Sequence, residues 1–119
     1  MDAGSRVPPP ELRFDGPTRR DGVTFLTVTG DIDLTTGDRF TRTLTRTLDE
    51  PGVTHLLLDL GPLRFIDSNG ATAIIRAHWA ADQRGIDFAV INACGPVRSV
   101  LKMLGVYEML TTVGDPGPG

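Results

Sequence analysis

A single cysteine, Cys94, occurs in the 119 residues. It can close no internal disulfide, and with only His55 and His78 for company it offers no zinc-knuckle ligand set. That usage is compatible with a reducing compartment, and Cys94 reads as a small hydrophobe after a strand. Excess positive charge is also missing. Twelve Lys and Arg face 15 Asp and Glu, a formal net charge of -3, so nothing draws the chain generally toward nucleic acid or anionic lipid. Neither nucleic-acid binding nor membrane insertion is expected. No window approaches the ~20 apolar residues that span a bilayer. The opening MDAGSRVPPP has an early acid and no apolar stretch, unlike a secretory leader, which points to a cytoplasmic protein. A Gly-x-x-x-x-Gly-Lys phosphate loop is absent and no loop has calcium-ligand spacing, so neither nucleotide hydrolysis nor a metal or other cofactor is expected.

What is present reads as one domain. Residues 1–10, with Pro8, Pro9 and Pro10, and residues 114–119, GDPGPG, cannot repay their ordering entropy. They are expected to be disordered tails around a domain over 11–113. VTFLTVTG, Val23 to Gly30, is a β-branched strand ending at glycine, and ELRF, Glu11 to Phe14, is a short strand that pairs with it across the polar DGPTRRDG connection. Thr35-Thr36-Gly37-Asp38 offers a weak capping box to a helix carrying Phe40, Leu44 and Leu48 and stopped by Pro51-Gly52. HLLLDL, His55 to Leu60, and DFAVIN, around Phe88 to Ile91, are continuous apolar runs, as expected of strands covered on both faces. Between them Ala71, Ile74, Ile75, His78 and Ala81 fall on one face of a helix from about Ser68 to just before Gly85. Gly95-Pro96 opens a third helix with Val97, Val100, Leu101 and Leu104 as its buried stripe, and GVYEML follows as a last turn. Alternation of this kind implies right-handed crossovers and a mainly parallel sheet with one antiparallel edge. Sites then gather at the C-terminal strand ends, where GDID, FIDSNG and NACG fall.

FIDSNG, Phe65 to Gly70, is the most informative of the three. Asp67 or Ser68 can cap the helix, with Gly70 permitting close approach to the sheet. A catalytic Ser68 needs a base, and neither His55 at a strand start nor His78 three turns down a helix is placed for it; the G-x-S-x-G elbow is missing too. Asp31, Asp33, Asp59 and Asp67 are better read as capping or solvated acids than as metal ligands. A third possibility is a regulated surface: a serine at a helix N-terminus accepts a phosphoryl group without disturbing the fold, and the added charge of roughly -1.5 to -2 repels a docked partner.

GDIDLTT (Gly30 to Thr36), HLLLDLGPLRFIDSNG (His55 to Gly70) and GPVRSVLKMLGVYEML (Gly95 to Leu110) together resemble the STAS domain, in particular the bacterial anti-sigma factor antagonists. The resemblance runs in order from about Val23 to Leu110. It implies an α/β fold with a four- to five-stranded mixed, mainly parallel sheet and helices packed on one side. It also implies partner switching by a protein that is not an enzyme. The unphosphorylated form binds an anti-sigma factor with serine kinase activity and frees a sigma factor; phosphorylation of the serine releases it, and a serine phosphatase resets it. By position Ser68 is the phosphoacceptor, Asp67 its flanking acid and Gly70 the residue that lets the helix approach closely. Asp33 belongs to the kinase-facing surface with Asp67, Ser68, Asn69 and Gly70. Asn69 stands where many members have serine or threonine, and Ala71 where a larger aliphatic is common, which bears on partner choice. A constitutive adaptor or ligand-sensing module of a transporter or signalling assembly is the rival reading, and the intact serine favours the switch. Trp79 is either an interface anchor or a half-buried cover of the sheet, Arg76 a partner contact or a solvated side chain, and Met103 core or rim packing. When free, the chain is expected to be monomeric.

Overall fold

The computed structural model describes residues 12–112. Glu11, Val113 and both expected tails lie outside the described residues. In chain order the elements are β1 (Arg13–Arg20), β2 (Val23–Ile32), α1 (Gly37–Leu48), β3 (His55–Asp59), β4 (Leu63–Ile66), α2 (Ser68–Gln83), β5 (Asp87–Ile91), α3 (Gly95–Met103) and α4 (Tyr107–Thr111). The strands form one sheet in the order β1-β2-β3-β5, with β4 also paired to β2. Among the described residues, only the β1–β2 ladder is antiparallel. The expected mixed, mainly parallel sheet is therefore present.

The opening hairpin is longer than the sequence suggests. DGPTRR, read as a connection, belongs to β1, which absorbs Gly16-Pro17 in an irregularity between Asp15 and Thr18. Proline is tolerated there because β1 is an edge strand with no outer ladder to satisfy. The reversal is confined to Asp21 and Gly22, whose φ values of 54° and 81° match the two-residue turn that follows strand twist.

β2 serves two parallel neighbours in succession. Thr24–Thr27 pair with Leu56–Asp59 of β3, and Gly30–Ile32 pair with Leu63–Ile66 of β4. The run from Leu60 to Ile66 holds a separate strand that sequence reading merged with the approach to the helix.

Burial alternates strictly along β2, with Thr24, Leu26, Val28 and Ile32 covered and their neighbours partly open. The same alternation corrects the expectation for β3: Leu56 and Leu58 are buried but Leu57 is partly exposed. Its neighbours in register are Phe25 and Ala89, so Leu57 stands on the face opposite Leu56 and Leu58, in an apolar row within the sheet. β5 does bury Phe88, Ala89 and Val90 in succession. On the covered side Phe40, Leu44, Ile74 and Leu101 complete the core, and Phe14 stacks on Phe40 with centroids 6.5 Å apart.

Two further expectations fail near the C-terminus. Leu104 is 46% exposed because α3 ends at Met103 and the chain turns at Gly105 before α4, carrying it off the buried stripe of Val97 and Leu101, and Met103, two residues past Leu101, lies on the outer face of the helix and is 81% exposed. Trp79 is 64% exposed rather than a half-buried cover of the sheet.

Candidate functional site

Two loops leave the sheet side by side at the C-terminal ends of β2 and β4. The backbone N–H of Asp67 donates to the carbonyl of Ile32 at 3.0 Å, tying the exits together. One loop carries Asp33 and the other carries Ser68.

The Asp33 loop is held by its own side chains. Asp33 Oδ1 accepts from the Thr35 hydroxyl at 2.7 Å and backbone N–H at 2.9 Å, and from the Thr36 N–H at 3.2 Å. Thr36 Oγ1 accepts from the Asp33 N–H at 2.9 Å and donates to the Asp31 carbonyl at 2.9 Å. The Thr35 hydroxyl, with the neighbouring N–H groups, holds the Asp33 carboxyl below the usual carboxylate range. The expected threonine capping box is not formed, since Thr36 at the N-cap makes no side-chain bond to the helix. Asp33 organises the turn instead, because a carboxylate two and three residues upstream reaches those N–H groups with less strain. Its backbone carbonyl also accepts from Gly37. The consequence is that Leu34 points outward, 82% exposed.

At the other loop, Asp67 is the cap. Its backbone is extended (φ -94°, ψ 179°), and Oδ1 accepts from the Gly70 N–H at 2.8 Å, which satisfies one of the free donors at the start of α2. Ser68 is thus relieved of capping. It is the first residue of α2, exposed, and its hydroxyl makes no hydrogen bond among the described residues. Asn69 is exposed and Gly70 buried. Loss of the cap in Asp67→Ala is expected to cost about 1 kcal/mol, a fall of roughly 4–8 °C in Tm for a domain of this size. Asp67→Ser should retain most of it, and thermal melts of the two variants provide the check.

Gly70 is required for space rather than for an unusual dihedral. A Cβ built there would lie 2.6 Å from Ile32 Cγ2 and 2.7 Å from Ile66 Cγ1. The first turn of α2 therefore rests directly on the last residues of β2 and β4, which fixes where Ser68 stands.

The five residues singled out from the sequence are distributed as follows. Asp67, Ser68, Asn69 and Gly70 are consecutive at the cap and first turn, and Asp33 and Asn69 line one groove. Gly70 is buried beneath the surface it shapes, and the Asp33 carboxylate is engaged within its own loop. Neither histidine serves Ser68: His55 pairs with Asp87 at 3.1 Å at the start of β3, and His78 sits edge-on to Phe88. Among the described residues no group of three or more His, Cys, Asp or Glu is placed to hold a metal, and no helix is long and apolar enough to cross a membrane. Sequence reading missed Leu34, although Asp-x-Thr-Thr beside it is a turn signature that forces the intervening residue outward.

Residues 17–115 match the family model of the STAS domain. An anti-sigma F factor antagonist of Paenibacillus polymyxa is 27% identical over 89 residues, covering 75% of this chain and 76% of that protein. Among solved structures, an anti-sigma factor antagonist from Mycobacterium paratuberculosis superposes with a TM-score of 0.70 at 21% identity, over 89% of this chain and 86% of that one. The unphosphorylated form of the anti-sigma factor antagonist SpoIIAA gives 0.69 at 16% identity, over 86% of each chain. At those identities the structural likeness establishes the fold.

Proposed function

The chain belongs to the STAS domain family, and on that premise we propose that it is a cytoplasmic anti-sigma factor antagonist switched by phosphorylation at Ser68. The observation that carries this reading is the exposed Ser68 hydroxyl, which makes no hydrogen bond among the described residues, at the start of a helix that Asp67 already caps. Transfer of a phosphoryl group to Ser68 Oγ consumes no bond that holds the fold. The hydroxyl proton passes to a base of the kinase, Ser68 Oγ bonds to the γ-phosphorus of ATP as the bond to the β,γ-bridging oxygen breaks, and ADP leaves.

In the unphosphorylated state an anti-sigma factor with serine kinase activity docks over the Asp33 and Ser68 loops and releases its sigma factor. After transfer, a charge of roughly -1.5 to -2 stands beside Asp67. The free N–H groups of the first turn and the helix dipole accommodate it while the chain is alone. Inside an interface the same charge is desolvated without a partner, and the complex separates. A serine phosphatase hydrolyses the ester and restores the hydroxyl.

With ATP and the serine-kinase anti-sigma factor of the same organism, the purified chain is expected to gain one phosphate, mapped by mass spectrometry to Ser68 and lost in Ser68→Ala. Phosphate placed elsewhere, on Thr35 or Thr72 for example, would refute the assignment.

A further inference from the structure

The two faces of α2 differ sharply in what they carry. Gly70, Ala71, Ala73, Ile74, Ala77 and Ala81 are its buried residues. At about 100° per residue, Ser68, Thr72, Ile75 and Trp79 project from the opposite side, in the i, i+4, i+7, i+11 pattern of one helical stripe. Ser68, Thr72 and Trp79 are exposed and Ile75 is partly covered. The phosphoacceptor and the single tryptophan of the chain therefore stand on one outward face. They lie about 16 Å apart along the axis, at the helical rise of about 1.5 Å per residue.

Nothing inside the fold uses the indole of Trp79. It is 64% exposed, and among the described residues its ring joins no aromatic pair and no cation–π contact. The core beneath α2 is filled instead by Ala71, Ala73, Ile74, Ala77 and Ala81. An indole left in water withholds the large burial that makes tryptophan a frequent anchor of protein interfaces. Its backbone belongs to a helix of 16 residues, so its place relative to Ser68 is set before any partner arrives, and little ordering cost is left for binding.

A kinase that brings ATP to Ser68 Oγ must cover the first turn of α2. A specific interface of ordinary size takes roughly 800 Å² from each partner, a patch about 30 Å across. Leu34, 82% exposed, supplies an apolar contact at that turn, where it and Asn69 line one groove. From the same turn the exposed stripe of α2 runs on to Trp79, which falls at the rim of a patch centred on Ser68 and well inside one extended along the helix.

We infer that Trp79 is a docking anchor for the anti-sigma factor, seated in an apolar pocket of that protein which also offers an acceptor to the indole N–H. This rests on the chain being a substrate of a serine-kinase anti-sigma factor. It divides the work along one helix face: Ser68 sets release, and Trp79 supplies affinity at a distance from the transferred phosphate. Sites more than about 10 Å apart that share no partner group contribute additively, so the loss on removing Trp79 is the same whatever stands at position 68.

Because the chain has a single tryptophan, 5-fluorotryptophan incorporated throughout the protein reports from Trp79 alone. In complex with the unlabelled serine-kinase anti-sigma factor of the same organism, its fluorine NMR resonance is expected to move and to lose its shift between H2O and D2O. By isothermal titration Trp79→Ala should bind about tenfold or more weakly than wild type, by the same factor in a Ser68→Ala background, with part of the loss recovered in Trp79→Phe. Phosphorylation of Ser68 in Trp79→Ala should show a raised KM and an unchanged kcat, the pattern of lost uniform binding. Thermal melts confirm that the variants fold. A resonance that keeps its solvent shift in the complex, or wild-type affinity in Trp79→Ala, would overturn the anchor and leave the reading of Ser68 intact. A wild-type chain that neither binds the kinase nor is phosphorylated would overturn both. A solvent shift lost with rising concentration of the chain alone would assign Trp79 to contact with a second copy and overturn the inference.

Discussion

Ser68→Asp is expected to weaken the complex with the serine-kinase anti-sigma factor by about a hundredfold or more. A charge buried in an interface without a partner costs several kcal/mol, and about 2.7 kcal/mol already corresponds to a hundredfold change in Kd. Aspartate carries less charge than a phosphoserine, so the phosphorylated chain should bind more weakly still. Ser68→Ala is the informative counterpart. Because the Ser68 hydroxyl makes no hydrogen bond among the described residues, its removal is expected to leave α2 capped by Asp67 and the fold unchanged. That variant should bind close to wild type and stay bound when ATP is added. Isothermal titration of the three proteins distinguishes this from a purely structural serine, for which all three would bind alike.

The second large effect is on stability. Gly70→Ala places a methyl group 2.6 Å from Ile32 Cγ2 and 2.7 Å from Ile66 Cγ1, and both isoleucines are wholly buried. Neither is the free end of a long side chain, so either the sheet end or the first turn of α2 must shift. Overpacking of this kind costs about 1–3 kcal/mol, opposed by at most about 1 kcal/mol from the better helix propensity of alanine. Any lift of the turn also lengthens the 2.8 Å bond from Gly70 N–H to Asp67. The net expectation is a loss of about 1–2 kcal/mol, read as a lower urea midpoint with an unchanged slope. Affinity for the anti-sigma factor should fall with it, since the clash displaces the turn that presents Ser68. A Gly70→Ala chain as stable as wild type would mean that α2 is not seated on Ile32 and Ile66.

The long periodic elements were legible because burial imposes their spacing. Phe40, Leu44 and Leu48 are buried as one stripe, as are Ala71, Ile74 and Ala81. FIDSNG was legible for a different reason, as an acid, a hydroxyl and a glycine have few joint uses at a strand-to-helix junction. Other features depend on what lies across from a residue. β4 is four residues long with a register irregularity against β2, too short to show a period of its own. Leu57 belongs to an apolar run, yet only the layer opposite decides whether its face is covered. Leu104 continues the hydrophobic pattern of α3 past the end of the helix, where the chain turns at Gly105. Asp33, read as part of the kinase-facing surface, has its carboxylate engaged by Thr35 and Thr36, which fixes the loop that presents Leu34.

The most direct test of the central claim is a phosphopeptide map of this protein recovered from its own cells, during growth and under several stresses, with occupancy at Ser68 as the readout. A Ser68 occupancy that rises and falls with condition is the predicted result. A Ser68 that stays unmodified in every condition, while the chain remains bound to its partners, would contradict it and leave the serine as the first residue of a well-capped helix in a constitutive adaptor.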